Sequence, residues 1–273
     1  MSHLVLFGPG YAGSRMVAAA AARGWAVTSF GRGASAEEVG AALASATHIL
    51  SSVAPEEGVD RVLEAHGERI ARSGAWIGYL SSTGVYGDAG GAWVDESAPL
   101  LGRRSGRIAA DRQWLALGAR VLRLPGIYGP GRSALDRVDA GAAHRIDLPD
   151  QVFSRIHVDD IVSATLAAMR GGPAGAYNIA DDLPASQNAV IEEACALLGR
   201  TPPPLLALDD AALSPMARAF YAENRRVGNG KARRLLGWRP AYPDYRAGLR
   251  ALIATTSPTS TIPPPATAST DQR

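Results

Sequence analysis

Residues 3–13 read HLVLFGPGYAG. A short apolar run passes into Gly8, Gly10 and Gly13 in GxGxxG spacing, and an alanine-rich helical pattern follows through Arg23. Strand, glycine turn and helix in that order suit a pyrophosphate held at a helix N-terminus. Gly8 permits a tight turn, Gly10 lets backbone approach the phosphates, and Gly13 lets the helix pack close to the strand. Tyr11 and Ala12, inside the same turn, join the three glycines as expected cofactor contacts. The competing reading is a glycine turn with no ligand, and the strand and helix context favours the dinucleotide.

The alternation continues outward. Apolar runs at 25–30, 47–53, 75–82 and 119–124 are separated by helical patterns near 35–44, near 58–72 and over GRRSGRIAADRQW, 102–114. Such a pattern predicts an α/β fold, a Rossmann-type doubly wound parallel sheet with helices on both faces. FSRIHVDDIVSATLAAM, GAYNIAD and a helix near 185–199 add further units. The expected organisation is a nucleotide-binding domain over 1–175, a smaller C-terminal substrate lobe covering the cleft over 176–254, and a disordered tail over 255–273. The tail, TTSPTSTIPPPATASTDQR, has almost no large apolar side chain to offset the entropy of ordering.

With 273 residues, 47% of them hydrophobic, the chain can bury a substantial core. The net charge of +2 is too balanced to point to nucleic acid, although Lys231 is the single lysine and the other 27 of the 28 basic residues are arginine. One cysteine, Cys195, excludes an intramolecular disulfide, and its apolar surroundings AVIEEACALLG read as core. Five histidines without HxH or HExxH spacing give no expectation of a metal site. Neither a secretory signal pattern nor a membrane-length apolar run is present, so a cytoplasmic location is expected.

The choice of dinucleotide is read near the end of the second apolar run, where NAD-specific chains place an acid for the ribose hydroxyl. Here SFGRG offers Arg32, which suits a 2′-phosphate, so NADP is expected rather than NAD; a solvent-exposed loop arginine is the alternative. Ser52 and Val53, closing THILSSV, are further expected cofactor contacts.

GPGYAG, LSSTGVYG, LRLPGIYGPGR, RIHVDDI and YNIAD, in this order, resemble the extended short-chain dehydrogenase/reductases of the NAD-dependent epimerase/dehydratase family. The resemblance covers residues 1 to about 250. It implies that Ser82 hydrogen-bonds the reacting oxygen, that Leu80 and Ser81 line the nicotinamide side, and that Pro125, Gly126 and Ile127 pass beside the carboxamide. Members of that family complete the site with YxxxK, in which lysine lowers the tyrosine pKa. This chain has no such motif, because Val227 stands four residues before its only lysine. Aligning Asp111 with the acid that usually follows the motif puts Arg103 at the tyrosine position and Arg107 at the lysine position. The strand and helix that extended members insert after the second strand are also missing. Both departures resemble the atypical, YeeZ-like subgroup.

A guanidinium does not act as a general acid at neutral pH but binds carboxylate or phosphate bidentately. Arg103, Arg107 and Asp111, at i, i+4 and i+8, are expected on one helix face with Arg107 able to pair with Asp111. That face reads either as a salt-bridged surface or as a reader of an anionic small-molecule substrate. His157 reads as an alternative proton source or as part of a strand-to-helix turn whose helix Asp159 or Asp160 caps. Tyr86 and Tyr128 are further proton-donor candidates, and Arg132 and Arg155 are secondary anion contacts. Two functions stay open: an NADP-dependent oxidoreductase or epimerase-like enzyme using Ser82, and a catalytically weak NADP-binding sensor.

Overall fold

The computed structural model describes residues 1–211 and 215–256. The chain begins β1 (His3–Phe7), α1 (Tyr11–Ala21), β2 (Ala26–Phe30), α2 (Ala36–Ser45), β3 (His48–Ser51), α3 (Arg61–Arg72) and β4 (Trp76–Ser82). After a two-residue strand β5 (Trp93–Val94) come α4 (Ser105–Ala116) and β6 (Arg120–Leu124). Then follow β7 (Gly126–Tyr128), α5 (Ala134–Asp139), β8 (Arg145–Ile146), β9 (Arg155–His157), α6 (Val158–Arg170) and β10 (Gly175–Asn178). The chain finishes through α7 (Gln187–Leu197), β11 (Leu205–Leu206), α8 (Pro215–Tyr221), β12 (Arg226–Val227), α9 (Gly230–Leu235) and α10 (Tyr245–Thr256).

Six strands form one sheet in the order β10-β6-β4-β3-β1-β2, all paired parallel. Successive side chains of a strand point to opposite faces, so each strand feeds two cores. Leu4, Leu6, Leu50, Leu80 and Leu122 pack with α1 and α6 on one face. Val5, Phe7, Ile49, Tyr79 and Val121 pack with α2, α3 and α4 on the other. The order reverses between β1 and β3, which opens a crevice beyond their C-terminal ends at the glycine turn.

The boundary expected at 175/176 falls inside this sheet, because β10 is its edge strand. The second lobe has its own core of Tyr128, Leu135, Val138, Ile191, Cys195 and Leu249. It is therefore assembled from two stretches, one after β7 and one after β10, with β9, α6 and β10 returning to the nucleotide-binding side between them. Periodicity marks elements along the chain but not which neighbour buries them, so the earlier stretch was not visible as lobe. Of the expected tail, Thr255 and Thr256 close α10 and residues 257–273 lie outside the described residues. Among the described residues no helix is long and apolar enough to cross a membrane.

Candidate cofactor and substrate cleft

A cleft of about 1060 Å³ runs from the glycine turn, past the C-terminal ends of β4 and β6, to the second lobe. Gly10, Tyr11, Ala12 and Ser52 line one end, and Leu80–Ser82 with Pro125–Ile127 line the middle. The three glycines have different physical reasons. Gly8 has φ +78°, and a Cβ there would stand 2.8 Å from the Val53 side chain. A Cβ on Gly13 would meet the Gly8 carbonyl oxygen at 2.6 Å. A Cβ on Gly10 meets nothing within 4 Å, so the fold leaves that space free in front of the helix.

The start of α1 has no side-chain cap and no acid in its first turn, as is also true of α4, whereas Ser35, Asp60, Ser133 and Ser186 cap α2, α3, α5 and α7; such a start is open to an anion. Ser52 donates its hydroxyl to the Gly8 carbonyl and holds the turn against β3. The Tyr11 hydroxyl donates to the Pro130 carbonyl at 3.1 Å, and its ring lies between Arg15 and Arg132 at 5.8 and 5.5 Å. An open glycine, an uncapped helix start and flanking guanidinium groups fit a dinucleotide pyrophosphate.

Arg32 is exposed and ion-paired to Glu56 at 2.9 Å. A 2′-phosphate bound there must compete with that carboxylate. Arg32→Ala is expected to weaken NADP by ten- to a hundredfold, since charge-assisted hydrogen bonds are worth roughly 1.5 to 3 kcal/mol. NAD binding should change little, and Glu56→Gln should tighten NADP; calorimetry with both nucleotides reads all three.

The arginine helix differs from expectation in two ways. It starts at Ser105, so Arg103 precedes its N-cap residue, Arg104, and does not share the helix face of Arg107. The turn is set by close packing: a Cβ on Gly102 would meet the Gly84 carbonyl, and one on Gly106 would meet the Gly58 backbone. Arg103 lines the cleft, but its Nε donates to Glu223 at 2.8 Å and its other end to the Ala219 carbonyl at 2.5 Å. Arg107 also lines the cleft, near the buried Tyr79 phenol, which burial raises to about 12 against the pull of that guanidinium.

Arg107 does not pair with Asp111. Asp111 is fully buried and accepts both ends of Arg123, at 2.8 and 3.1 Å, together with the Ser81 hydroxyl at 2.7 Å. Arg123 also donates to the Tyr86 oxygen at 2.9 Å, and Tyr86 donates to Asn178 at 2.7 Å. Burial raises the Tyr86 phenol, with Arg123 opposing. The hydroxyls of Ser81 and Tyr86 are thus spent in a buried network crossing β4, α4, β6 and β10, and Ser81 reaches the cleft only at its margin. Ser82 faces the cleft; its oxygen accepts the Gly84 N–H at 3.1 Å, which orients the hydroxyl.

His157 is buried outside the cleft lining, and its Nδ1 accepts the Asp159 N–H at 3.2 Å, so the histidine itself caps α6. Tyr128 and Tyr242 flank its ring, and burial lowers its pKa. Asp159 instead pairs with Arg15, and Asp160 accepts the N–H groups of Ala241 and Tyr242. Tyr128 lines the cleft with its phenol raised by burial first, then by Asp181 and Asp160. Arg132 and Arg155 both line the cleft, but Arg155 is largely buried and donates mainly to the Phe153 and Ala185 carbonyls. Sequence reading missed Glu223 and Arg137, both on the cleft wall. Glu223 carries no local signal; the capping box of Ser133 and Asp136 did mark the helix that carries Arg137.

No family model matches the chain. It is 34% identical over 146 residues to a 3-diazoavenalumate denitrifying reductase of Streptomyces sp, covering 49% of this chain and 46% of that one. It is 35% identical over 164 residues to the protein YeeZ of Escherichia coli K12, covering 55% and 53%. The chain thus spans about half the length of the curated relatives it matches. A solved structure of a functionally unknown conserved protein from Silicibacter pomeroyi superposes with a TM-score of 0.85 at 42% identity, over 93% of this chain and 99% of that one. The human epimerase family protein SDR39U1, solved with NADPH, shares the fold at a TM-score of 0.72 and 18% identity, over 92% and 99%. With its six-stranded parallel sheet and its glycine turn, the chain shares the fold of solved epimerase-family proteins such as SDR39U1, and over about half its length it is similar to YeeZ.

Proposed function

We propose that this protein is an NADP-dependent reductase of a small organic acceptor whose reduction draws no proton from a tyrosine and lysine pair. The observation that carries this reading is that Arg103 and Arg107, which the sequence aligns with the tyrosine and lysine of the family motif, both line the cleft. When bound, the nicotinamide supplies a hydride. The start of α1 would hold the pyrophosphate, Arg32 the 2′-phosphate, and Pro125–Ile127 the nicotinamide edge. Ser82 orients the acceptor, since its oxygen is engaged by the Gly84 N–H and its hydrogen is left to donate into the cleft.

A carbonyl reduced to an alcohol needs a proton for the nascent oxyanion. An aryl diazo group does not: the carbon gains hydrogen, the C–N bond breaks, and dinitrogen leaves with no oxyanion formed. The name of the Streptomyces relative, a diazo-compound reductase, supports an acceptor of that type. NADPH absorbance followed with an aryl diazonium acceptor, and separately with aldehydes, ketones and nucleotide sugars, tests the proposal. Oxidation dependent on the diazonium compound is expected. Turnover of the carbonyl panel alone would overturn it, and NADPH binding without any turnover would favour a sensor, a role to which the Arg103–Glu223 tie between helix and lobe is also suited.

A further inference from the structure

The far end of the cleft, in the second lobe, contains a cation that the fold does not neutralise. Arg137, on α5, lines the cleft, and among the described residues its side chain has no hydrogen bond or ion pair. The neighbouring acid is committed elsewhere: Asp136 accepts both the N–H and the hydroxyl of Ser133, at 2.6 and 2.5 Å. Other arginines have carboxylate partners, Arg103 and Arg225 on Glu223, Arg123 on Asp111 and Arg145 on Glu192.

Around Arg137 stand Arg155, His144 and Tyr221, close enough to shift one another's titration. Burial, with Arg137 adding repulsion and Asp181 opposing, brings Arg155 down to about 10. Gln187 gives its oxygen to Arg155 at 3.1 Å, while its amide nitrogen is buried with no partner. An unpaired guanidinium on Arg137 and an unmatched amide N–H on Gln187 in a concave site call for an acceptor that arrives with the ligand. The walls are flat and apolar: Phe153 stacks on Phe220 at 5.0 Å and meets the Tyr221 ring edge-on at 5.7 Å.

We infer that this end of the cleft binds a small aromatic carboxylate, with its carboxylate on the Arg137 guanidinium and its ring against Phe153 and Tyr221. The inference rests on the reading that the cleft takes a small-molecule substrate, and it names that substrate's class. A carboxylate matches the planar fork of a guanidinium bidentately, and the aromatic walls select a flat body over a sugar.

The test uses cinnamate as probe, with cinnamamide and inorganic phosphate as controls, titrated calorimetrically into the full-length protein with and without NADPH. Cinnamate should bind saturably and cinnamamide at least tenfold more weakly. Arg137→Ala should weaken cinnamate ten- to a hundredfold, and Arg137→Lys should retain part of the affinity. NADPH affinity should be unchanged in both variants. Arg137→Gln, which keeps the side-chain length, repeats the measurement if the alanine variant melts early. Absent saturable binding, equal affinity for acid and amide, or cinnamate affinity unchanged in a folded Arg137 variant would each overturn the assignment. Phosphate binding more tightly than cinnamate would replace the carboxylate with an oxyanion site. The arm without nucleotide reads Arg137 alone, so failure of the wild-type protein to bind NADPH would count against the reductase reading and not against this site.

Discussion

Gly10→Val is expected to abolish NADPH binding, by more than a hundredfold, while leaving the melting temperature unchanged. Gly10 has φ −78° and ψ −159°, an extended conformation that valine adopts without strain, and a Cβ there touches nothing. The fold therefore does not need glycine at this position. A pyrophosphate held at this turn would need it, because the isopropyl group would fill the space through which phosphate oxygens reach the first amides of α1. Losing two charge-assisted hydrogen bonds, at roughly 1.5 to 3 kcal/mol each, accounts for the size of the effect. Gly8 and Gly13 provide the contrast, since their substitution strains the turn itself and should lower stability together with binding. Calorimetry beside a thermal melt separates the two outcomes, and a folded Gly10→Val protein with wild-type NADPH affinity would remove the cofactor from this turn.

Asp111→Ala should destabilise the protein by about 3 to 5 kcal/mol, the range for removing one partner of a buried ion pair. Arg123 is left buried with only the Tyr86 oxygen to accept from it, and Ser81 loses its acceptor. Replacing both charges by apolar groups, as Asp111→Leu with Arg123→Met, should recover much of the loss, because the larger part of it is an uncompensated charge. Urea denaturation of the two variants provides the comparison, and a single variant within about 1 kcal/mol of wild type would mean that water reaches Arg123. Arg103→Ala, by contrast, breaks a partly exposed pair and should cost no more than about 1 kcal/mol.

The residues of β1 and the glycine turn were legible in sequence because their causes are local. An apolar run, three glycines at fixed spacing and a helical pattern each constrain backbone within a few residues. The absence of a YxxxK motif was a matter of counting, since Val227 stands four residues before the single lysine, Lys231.

Partner choice was not local. Asp111 lies four residues after Arg107, and helix spacing alone pairs them, yet strand β6 brings Arg123 beneath it and takes both carboxylate oxygens. Glu223 meets Arg103 across 120 residues of chain, which no spacing rule connects. Of the two sequence readings of His157, proton source or part of the strand-to-helix turn, the packing of Tyr128 and Tyr242 and the Asp159 N–H select the second.

The sequence by itself determined the sheet, the glycine turn and the absence of a YxxxK motif, since each follows from backbone periodicity, glycine conformation or residue identity. Only the tertiary structure decided which arginines are neutralised. Arg103 and Arg123 find carboxylates through contacts distant in sequence, and Arg137 faces the cleft without one. Charge is a property of the residue, but its compensation is a property of the neighbours that folding supplies.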